Sequence, residues 1–246
     1  MADVKFGSPV KIEREVLTLI GYPIIEITKK KVGRATQRII GWVGGGKEEH
    51  TEIDTYEAKL TDSQTKKIIL KFQVTRDAFA VKKSDYSAKK LILSNFGFEP
   101  KDAKKNWFRG NYMIAYPYKG TKNDTPAIKL TQHGSEVMHA HPNEDAVDLG
   151  YRDKKDVTAG IMIHVGGYYY NESLKRTVLA ASEGCFGIVN SGNSKSNTSD
   201  DETKKIMSKI LEMSKKSTEK PNYILIIIRK RESHEIPNKI EHIIRP

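Results

Sequence analysis

Apolar and polar residues alternate along much of the first third of this chain, and β-branched residues fill many of the apolar positions. Alternation of period two is typical of half-buried β-strands, because successive side chains of a strand point to opposite faces of the sheet. The pattern predicts strands at residues 10–20, 22–28, 36–43 and 67–74. Three consecutive glycines followed by charged residues predict a flexible turn at 44–50.

Further elements are predicted in the rest of the chain. An aromatic segment within 107–118 and the segment 125–132 predict two paired strands joined by a polar turn. The apolar run 222–228 predicts the most deeply buried strand. The sequence Ser-Asp-Asp-Glu at 199–202 is typical of a helix N-terminus. The residues that follow on one face at helical spacing are Ile206, Ile210, Leu211 and Met213.

The order of these elements predicts a β-dominated α+β fold. We expect a mixed or antiparallel β-sheet, or a barrel-like core, with one or two helices towards the C-terminal end. Internal repeats of 20 to 50 residues, which would indicate a solenoid, are not visible.

Composition and charge limit the classes of protein to which the chain can belong. The 246 residues are 37% hydrophobic and 30% charged, which is enough apolar material for a packed core. The formal net charge of +11 indicates attraction to an anionic partner such as a cell-wall polymer. An aromatic RNA-binding signature or an arginine-rich helix does not accompany the charge, so we expect no nucleic-acid partner. Apolar runs long enough to cross a bilayer are also missing, so we expect no membrane span.

The residues with the clearest chemical potential are the one cysteine of the chain, Cys185, and a histidine upstream, His164. His164 ends an apolar run, and Cys185 follows a Ser-x-Gly turn. A cysteine nucleophile requires a general base, and neighbouring strands can bring a thiol and an imidazole together. Ser182 can orient the imidazole, while the backbone amides of Gly184 and Cys185 can stabilise an oxyanion.

His164-x-Gly166 followed by Ser182-x-Gly184-Cys185 resembles the catalytic signature of the L,D-transpeptidase (YkuD-like) families, which have a β-rich core. The resemblance implies that Cys185 is the nucleophile, His164 its base and Ser182 a hydrogen-bonding support. It also implies that the amides of Gly184 and Cys185 form part of the oxyanion hole. The activity implied is acyl transfer on peptidoglycan stem peptides, by L,D-transpeptidation or L,D-carboxypeptidation, with no metal or other cofactor.

The chain departs from that signature at two positions around the cysteine. Many members have a histidine where this chain has Glu183, and an arginine where it has Gly187. Because the arginine would bind a substrate carboxylate, a basic residue of the connecting segment, such as Lys175 or Arg176, is a candidate to replace it. The residues that we expect to contact substrate are Gly166, Glu183, Tyr168, Arg176 and His141.

The resemblance also suggests how the chain is organised and where it acts. We expect the catalytic domain at residues 76–246, and a β-rich region at residues 1–75 that is either an accessory unit or part of the same sheet. The N-terminus has no apolar signal segment, so we expect synthesis in the cytoplasm without a signal peptide. A chain of this kind looks like an antibacterial effector that a specialised secretion system exports to the cell envelope. A secretion-apparatus protein or an immunity protein would then be a partner.

A metal-dependent hydrolase is the first alternative. An H-x-H pair on a strand projects both rings to the same side, and His139 and His141 have that spacing. Candidates for the remaining ligands are His133, His164, Asp145 and Asp148.

A non-catalytic β-rich binding module is the second alternative. Aromatic side chains that alternate on strands can form a surface for a carbohydrate or for another protein. The residues concerned are Trp107, Phe108, Tyr112, Tyr116, Tyr118 and the run 168–170.

Overall fold

A computed structural model describes a chain that is mostly β-strand, with one helix among the described residues. The described residues are 23–38, 47–62, 64–76, 79–81, 91–93, 113–119, 126–132, 137–139, 157–159, 161–165, 167–171, 176–180, 185–189, 200–216, 222–229 and 241–244. The strands are β1 (Ile24–Arg38), β2 (Lys47–Thr61), β3 (Ile68–Thr75), β4 (Phe79–Val81), β5 (Leu91–Leu93), β6 (Met113–Lys119), β7 (Pro126–Gln132), β8 (Val137–His139), β9 (Val157–Ala159), β10 (Met162–Val165), β11 (Gly167–Asn171), β12 (Arg176–Ala180), β13 (Phe186–Val189), β14 (Ile224–Ile228) and β15 (Glu241–Ile244), and the helix is α1 (Asp200–Lys215). The predicted β-dominated α+β class is confirmed.

Eight of the strands form a closed ring of hydrogen-bonded neighbours. Their order is β1, β14, β6, β7, β10, β13, β3 and β2, and β2 pairs again with β1. The pairs β1–β14 and β10–β13 are parallel, and the other pairs in the ring are antiparallel. Strand β12 of the β11–β12 hairpin pairs with the C-terminal part of β1, and β15 pairs with the N-terminal part of β2. Strands from residues 24–75 and strands from residues 113–228 therefore belong to one sheet.

The apolar face of the ring and the helix form one hydrophobic core. Ile25 of β1 is fully buried and lies in register between Leu60 of β2 and Ile226 of β14. The predicted apolar face of α1 packs on the same core through Ile206, Ile210 and Met213, with Leu211 partly buried beside it. The run predicted as the most deeply buried strand is β14, in which Ile224, Leu225, Ile226 and Ile228 are all fully buried.

The first two strands differ most from the sequence prediction. The segments predicted separately at 22–28 and 36–43 contribute to one long strand, β1, and the flexible turn predicted at 44–50 overlaps the start of β2 at Lys47. Pairing with β1 on one side and with β15 on the other holds this charged stretch in a sheet. Such long-range pairing overrides the local preference of the residues. The strand predicted at 10–20 lies outside the described residues.

The irregular part of β1 brings a glycine close to side chains of β2 and β3. The register between β1 and β2 shifts between Ile27 and Lys31 and again between Lys31 and Gly33, and such irregularities bend a strand. A Cβ atom on Gly33 would lie only 2.8 Å from Oε1 of Gln73. Gln73 Oε1 in turn accepts a 2.8 Å hydrogen bond from the hydroxyl of Thr55. Glycine therefore lets β1 pass close to this pair.

A buried arginine connects three strands of the ring. Arg76 follows β3 directly and is fully buried. Its Nη1 donates hydrogen bonds to the carbonyl of Arg229, at 2.9 Å, and to the carbonyl of Thr28, at 3.3 Å. The guanidinium group also lies 5.2 Å from the centre of the Tyr56 ring. This side chain thus holds backbone from β1 and from the end of β14 against β3.

Candidate cysteine–histidine site

The two residues singled out by the sequence are placed on neighbouring strands. His164 lies in β10, and Cys185 lies directly before β13. The two strands pair in parallel, with His164 opposite Gly187. The backbone N–H of Met162, two residues before His164, donates a 3.4 Å hydrogen bond to Sγ of Cys185. The sulfur is therefore held against β10 at Met162. Met162 precedes His164 by two residues, which is roughly 6–7 Å along the strand.

Cys185 has the accessibility and the environment of a usable thiol. The cysteine is not in a disulfide, and its side chain is half-buried rather than enclosed in the core. The hydrogen bond from Met162 N–H fixes the position of the sulfur beside β10.

His164 is held in the tautomer that a general base needs. Its Nδ1 lies 2.6 Å from the carbonyl oxygen of Val165. A carbonyl oxygen only accepts hydrogen bonds, so Nδ1 carries the proton, and in the neutral ring Nε2 has the lone pair. Burial lowers the pKa of His164 below its ordinary value of 6.5, and the hydrogen bond to the Val165 carbonyl offsets part of that decrease. The imidazole is consequently neutral at neutral pH.

The strands on either side of β10 place small residues next to the imidazole. His164 is in register with Gly187 of β13 and with Ala127 of β7. Residues in register on paired strands share a face of the sheet. The cross-strand neighbours of the imidazole are therefore the two smallest amino acids, glycine and alanine. The position at which the resemblance has an arginine is thus a glycine directly beside the candidate base.

A threonine supports this part of the sheet, and sequence reasoning did not identify it. The hydroxyl oxygen of Thr75, at the end of β3, accepts a 3.2 Å hydrogen bond from the backbone N–H of Gly187. Thr75 is fully buried. It therefore fixes β13 at the residue opposite His164. No motif marks Thr75 in the sequence, because its role depends on the pairing of β3 with β13.

Of the other predicted site residues, the structure describes two, Tyr168 and Arg176, and both lie on the β11–β12 hairpin. Tyr168 lies in β11 opposite Leu179, and Arg176 begins β12 opposite Asn171, at the turn end of the hairpin. The hairpin reaches the ring through the pairing of β12 with β1. The predicted residues outside the described ranges are Ser182, Gly184, Gly166, Glu183, His141 and Lys175.

The residues of the two alternative functions are only partly described. His139 ends the short strand β8, while His133, His141, Asp145 and Asp148 lie outside the described ranges. Within the described residues, no group of three or more His, Cys, Asp or Glu side chains is placed to hold a metal ion. Of the aromatic residues, Tyr116 and Tyr118 lie in β6 and the run 168–170 lies in β11, whereas Trp107, Phe108 and Tyr112 are outside the described ranges.

The lowered pKa of His164 leads to a prediction about stability and pH. A histidine whose pKa is lowered by folding destabilises the folded state as the pH falls, because the unfolded chain binds the proton first. The contribution of His164 is therefore fully present above pH 6.5 and is lost as the pH falls through the lowered pKa of the folded protein. We expect the free energy of unfolding of the wild type to decrease more steeply on acidification than that of His164→Gln. Urea unfolding of both proteins between about pH 4.5 and 7.5 measures the difference, and parallel curves would contradict it.

Comparison of the chain with protein-family models, with curated proteins and with solved structures gives no match. No helix in the described part of the chain is both long and apolar enough to cross a bilayer.

Proposed function

We propose that this protein is a cysteine-dependent acyl-transfer enzyme that acts on peptidoglycan stem peptides, as an L,D-transpeptidase or an L,D-carboxypeptidase. The observation that carries the proposal is the position of the Cys185 sulfur against β10, the strand on which His164 is held as a neutral base. A partly exposed thiol and an imidazole with its lone pair on Nε2 are the two groups that nucleophilic acyl transfer requires.

The proposed reaction has two half-reactions. Nε2 of His164 takes the thiol proton as the sulfur attacks the carbonyl carbon of the scissile amide. The tetrahedral intermediate collapses, the C–N bond breaks, and the imidazolium returns the proton to the leaving amine. The acyl group is then attached to Cys185 as a thioester. His164 takes a proton from the incoming amine or water as it attacks the thioester carbonyl, the C–S bond breaks, and the imidazolium returns the proton to the sulfur. The hydrogen bond from Nδ1 to the Val165 carbonyl stabilises the imidazolium formed in each half-reaction.

Two features support the substrate class. The His-x-Gly and Ser-x-Gly-Cys segments resemble those of enzymes that act on stem peptides. The net charge of +11 favours binding to an anionic cell-envelope polymer. Since this substrate lies outside the cytoplasm, the proposal includes export by a specialised secretion system. A protein of that apparatus, or an immunity protein, would be a partner.

Incubation of the purified protein with tetrapeptide and pentapeptide muropeptides tests the proposal. We expect loss of the terminal residue or its exchange for an added D-amino acid, detected by mass spectrometry of the muropeptides. We also expect a protein species whose mass is increased by the acyl group, with the increase located on the peptide that contains Cys185. Unchanged muropeptides and unmodified protein, from a sample whose thiol reacts normally with iodoacetamide, would overturn the proposal.

A further inference from the structure

The β-hairpin formed by β2 and β3 ends in a turn whose backbone is fixed by Asp62. The N–H of Asp62 donates to the carbonyl of Lys67, and its carbonyl accepts from the N–H of Lys66, both at 2.9 Å. The carboxylate of Asp62 accepts hydrogen bonds from two further backbone N–H groups of the turn, at 2.8 and 3.0 Å. We refer to residues 62 and 64–69 as the hairpin tip. Its backbone holds the side chains at defined positions.

Two adjacent isoleucines of the hairpin tip are exposed to solvent. Ile68 is 51% exposed and Ile69 is 38% exposed. Ile68 and Leu70 pair with consecutive residues of β2, so Ile69 is the extra residue of a β-bulge. A bulge interrupts the alternation of side chains between the two faces of a strand. The hairpin thus extends past the core with apolar side chains in water, where burial against a partner would be favourable.

Three exposed lysines flank these isoleucines. Lys66 and Lys67 precede Ile68, and Lys71 follows on β3. Within the described part of the chain, none of the three lysines forms an ion pair with an acidic side chain. The acidic residue of the hairpin tip, Asp62, binds backbone N–H groups instead. The surface around the isoleucines therefore carries a net positive charge.

The exposed lysines of β1 have a different environment. Lys30 lies 4.0 Å from a carboxylate oxygen of Glu57, and Lys31 lies 2.7 Å from a carboxylate oxygen of Asp54. Acidic residues of β2 thus offset the charge of β1. The lysines of the hairpin tip keep their charge available to an anionic partner.

Lys66 occupies a backbone position that favours glycine. Its φ is 60°, in the left-handed region where the Cβ of other residues is crowded. Glycine would therefore suit the turn better than lysine does. Because the ammonium group is what glycine would lack, the lysine at this position indicates a role for the charge at the hairpin tip.

This combination of side chains favours a bilayer surface over a protein or an anionic polymer as the partner. Interfaces between proteins contain few lysines, and a stable one buries about 800 Å² on each side, far more than two isoleucines provide. An anionic polymer would contact the lysines and leave the isoleucines in water. Apolar side chains flanked by lysines fit the boundary between the headgroups and the acyl chains of an anionic membrane.

We propose that the hairpin tip binds the surface of a bilayer that contains anionic lipid. Ile68 and Ile69 enter the boundary between headgroups and acyl chains, and Lys66 and Lys67 contact the anionic headgroups.

The hairpin tip lies at the opposite end of β3 from the candidate site. β3 begins at Ile68 and ends at Thr75, whose hydroxyl bonds to Gly187 beside the site. A strand of this length spans on the order of 25 Å. A bilayer bound at the tip therefore leaves Cys185 uncovered, and variants of the tip should turn over soluble muropeptides at the wild-type rate. Vesicle binding itself requires no peptide, so it is decided whether or not the proposed function holds.

Co-sedimentation with vesicles tests the proposal. The vesicles are phosphatidylcholine alone and an equal mixture of phosphatidylcholine and phosphatidylglycerol. We expect the wild type to bind the mixed vesicles at least about ten-fold more tightly, because each lysine adds to the attraction by anionic lipid. High salt should reduce this difference.

Substitutions at the hairpin tip separate the contributions of charge and apolar area. Lys66→Gln and Lys67→Gln should each weaken binding to the mixed vesicles about five-fold, the effect of one lysine near an anionic surface. Ile68→Ala should weaken it by a similar factor of about five, through the loss of buried apolar area. Lys66→Gly should also weaken binding without lowering the thermal unfolding midpoint, because glycine suits the positive φ. That variant distinguishes loss of charge from damage to the fold.

Two substitutions on β1 are the matched controls. Lys30→Gln removes the same charge, and Val32→Ala removes apolar area from a residue that is 36% exposed. Both variants should bind the mixed vesicles as tightly as the wild type. Equal weakening by the tip variants and the β1 variants would overturn the proposal, because net charge alone would then explain binding.

Other outcomes would also overturn the bilayer assignment. Wild-type protein that binds neither kind of vesicle would exclude it. If the lysine variants weaken binding and Ile68→Ala does not, the tip attracts polyanions by charge and does not enter the bilayer. If the wild type instead self-associates in analytical ultracentrifugation and Ile68→Ala abolishes this association, the tip is an interface between two copies of the chain.

Discussion

Replacing Cys185 with alanine is expected to reduce the rate of muropeptide turnover by about 10⁴-fold or more. The sulfur forms the acyl bond in the proposed reaction, and the chain has no second cysteine to replace it. The fold should be retained, because the side chain is small and half-buried, and its 3.4 Å hydrogen bond from Met162 N–H is not part of the strand pairing. Loss of one such bond costs on the order of 1 kcal/mol. Initial rates and urea unfolding of the same preparations measure both quantities.

Cys185→Ser is the control for the shape of the site. The serine hydroxyl is nearly isosteric with the thiol and can accept the hydrogen bond from Met162, but it ionises far less readily. This variant should be stable and also inactive. Wild-type turnover by a folded Cys185→Ala protein would exclude acyl transfer through this residue. In that case, loss of activity on chelation would indicate the metal-dependent hydrolase instead.

Replacing Ile25 with alanine is expected to lower the free energy of unfolding by about 3 kcal/mol, within the range found for large-to-small changes in packed cores. Ile25 is fully buried and lies in register between Leu60 of β2 and Ile226 of β14. It therefore joins a strand from the beginning of the chain to one from the end. Since the ring of strands has one core, we expect a single unfolding transition that shifts as a whole. Urea unfolding followed by both tryptophan fluorescence and circular dichroism measures the shift.

Ile68→Ala is the matched control for this stability change. Ile68 is also an isoleucine of the sheet, in β3, but its side chain is 51% exposed. We expect its replacement to change the free energy of unfolding by no more than about 0.5 kcal/mol. Two separate transitions, of which Ile25→Ala moves only one, would show that the strands of residues 24–75 are an independent unit.

The elements that the sequence predicted well are those with a strong local pattern. The helix α1 has a polar start and apolar residues at helical spacing, and β14 is a continuous apolar run between turn signals. Strand β2 has charged residues along much of its length, so its composition resembles a polar turn. Its pairing with β1, β3 and β15 cannot be inferred from that composition, because the partners are distant in sequence.

The candidate site likewise contains residues that the sequence identified and one that only the strand pairing revealed. Residue type alone selected Cys185 and His164, since a lone thiol and a histidine at the end of an apolar run are identifiable in the sequence. Thr75 was not selected, because a threonine on a strand carries no chemical signal of its own. Its relation to the site depends on the pairing of β3 with β13 and on the register of that pairing.

The sequence by itself determined that this is a β-dominated chain with one thiol and a basic surface, because side-chain alternation and residue chemistry are local properties. The closure of the strands into a ring, the contact of the sulfur with β10 and the lowered pKa of His164 were decided by the tertiary structure alone. Each of these depends on pairing between segments far apart in the chain or on burial by them. The free energy of such pairing comes from the packing of the whole core rather than from any single segment.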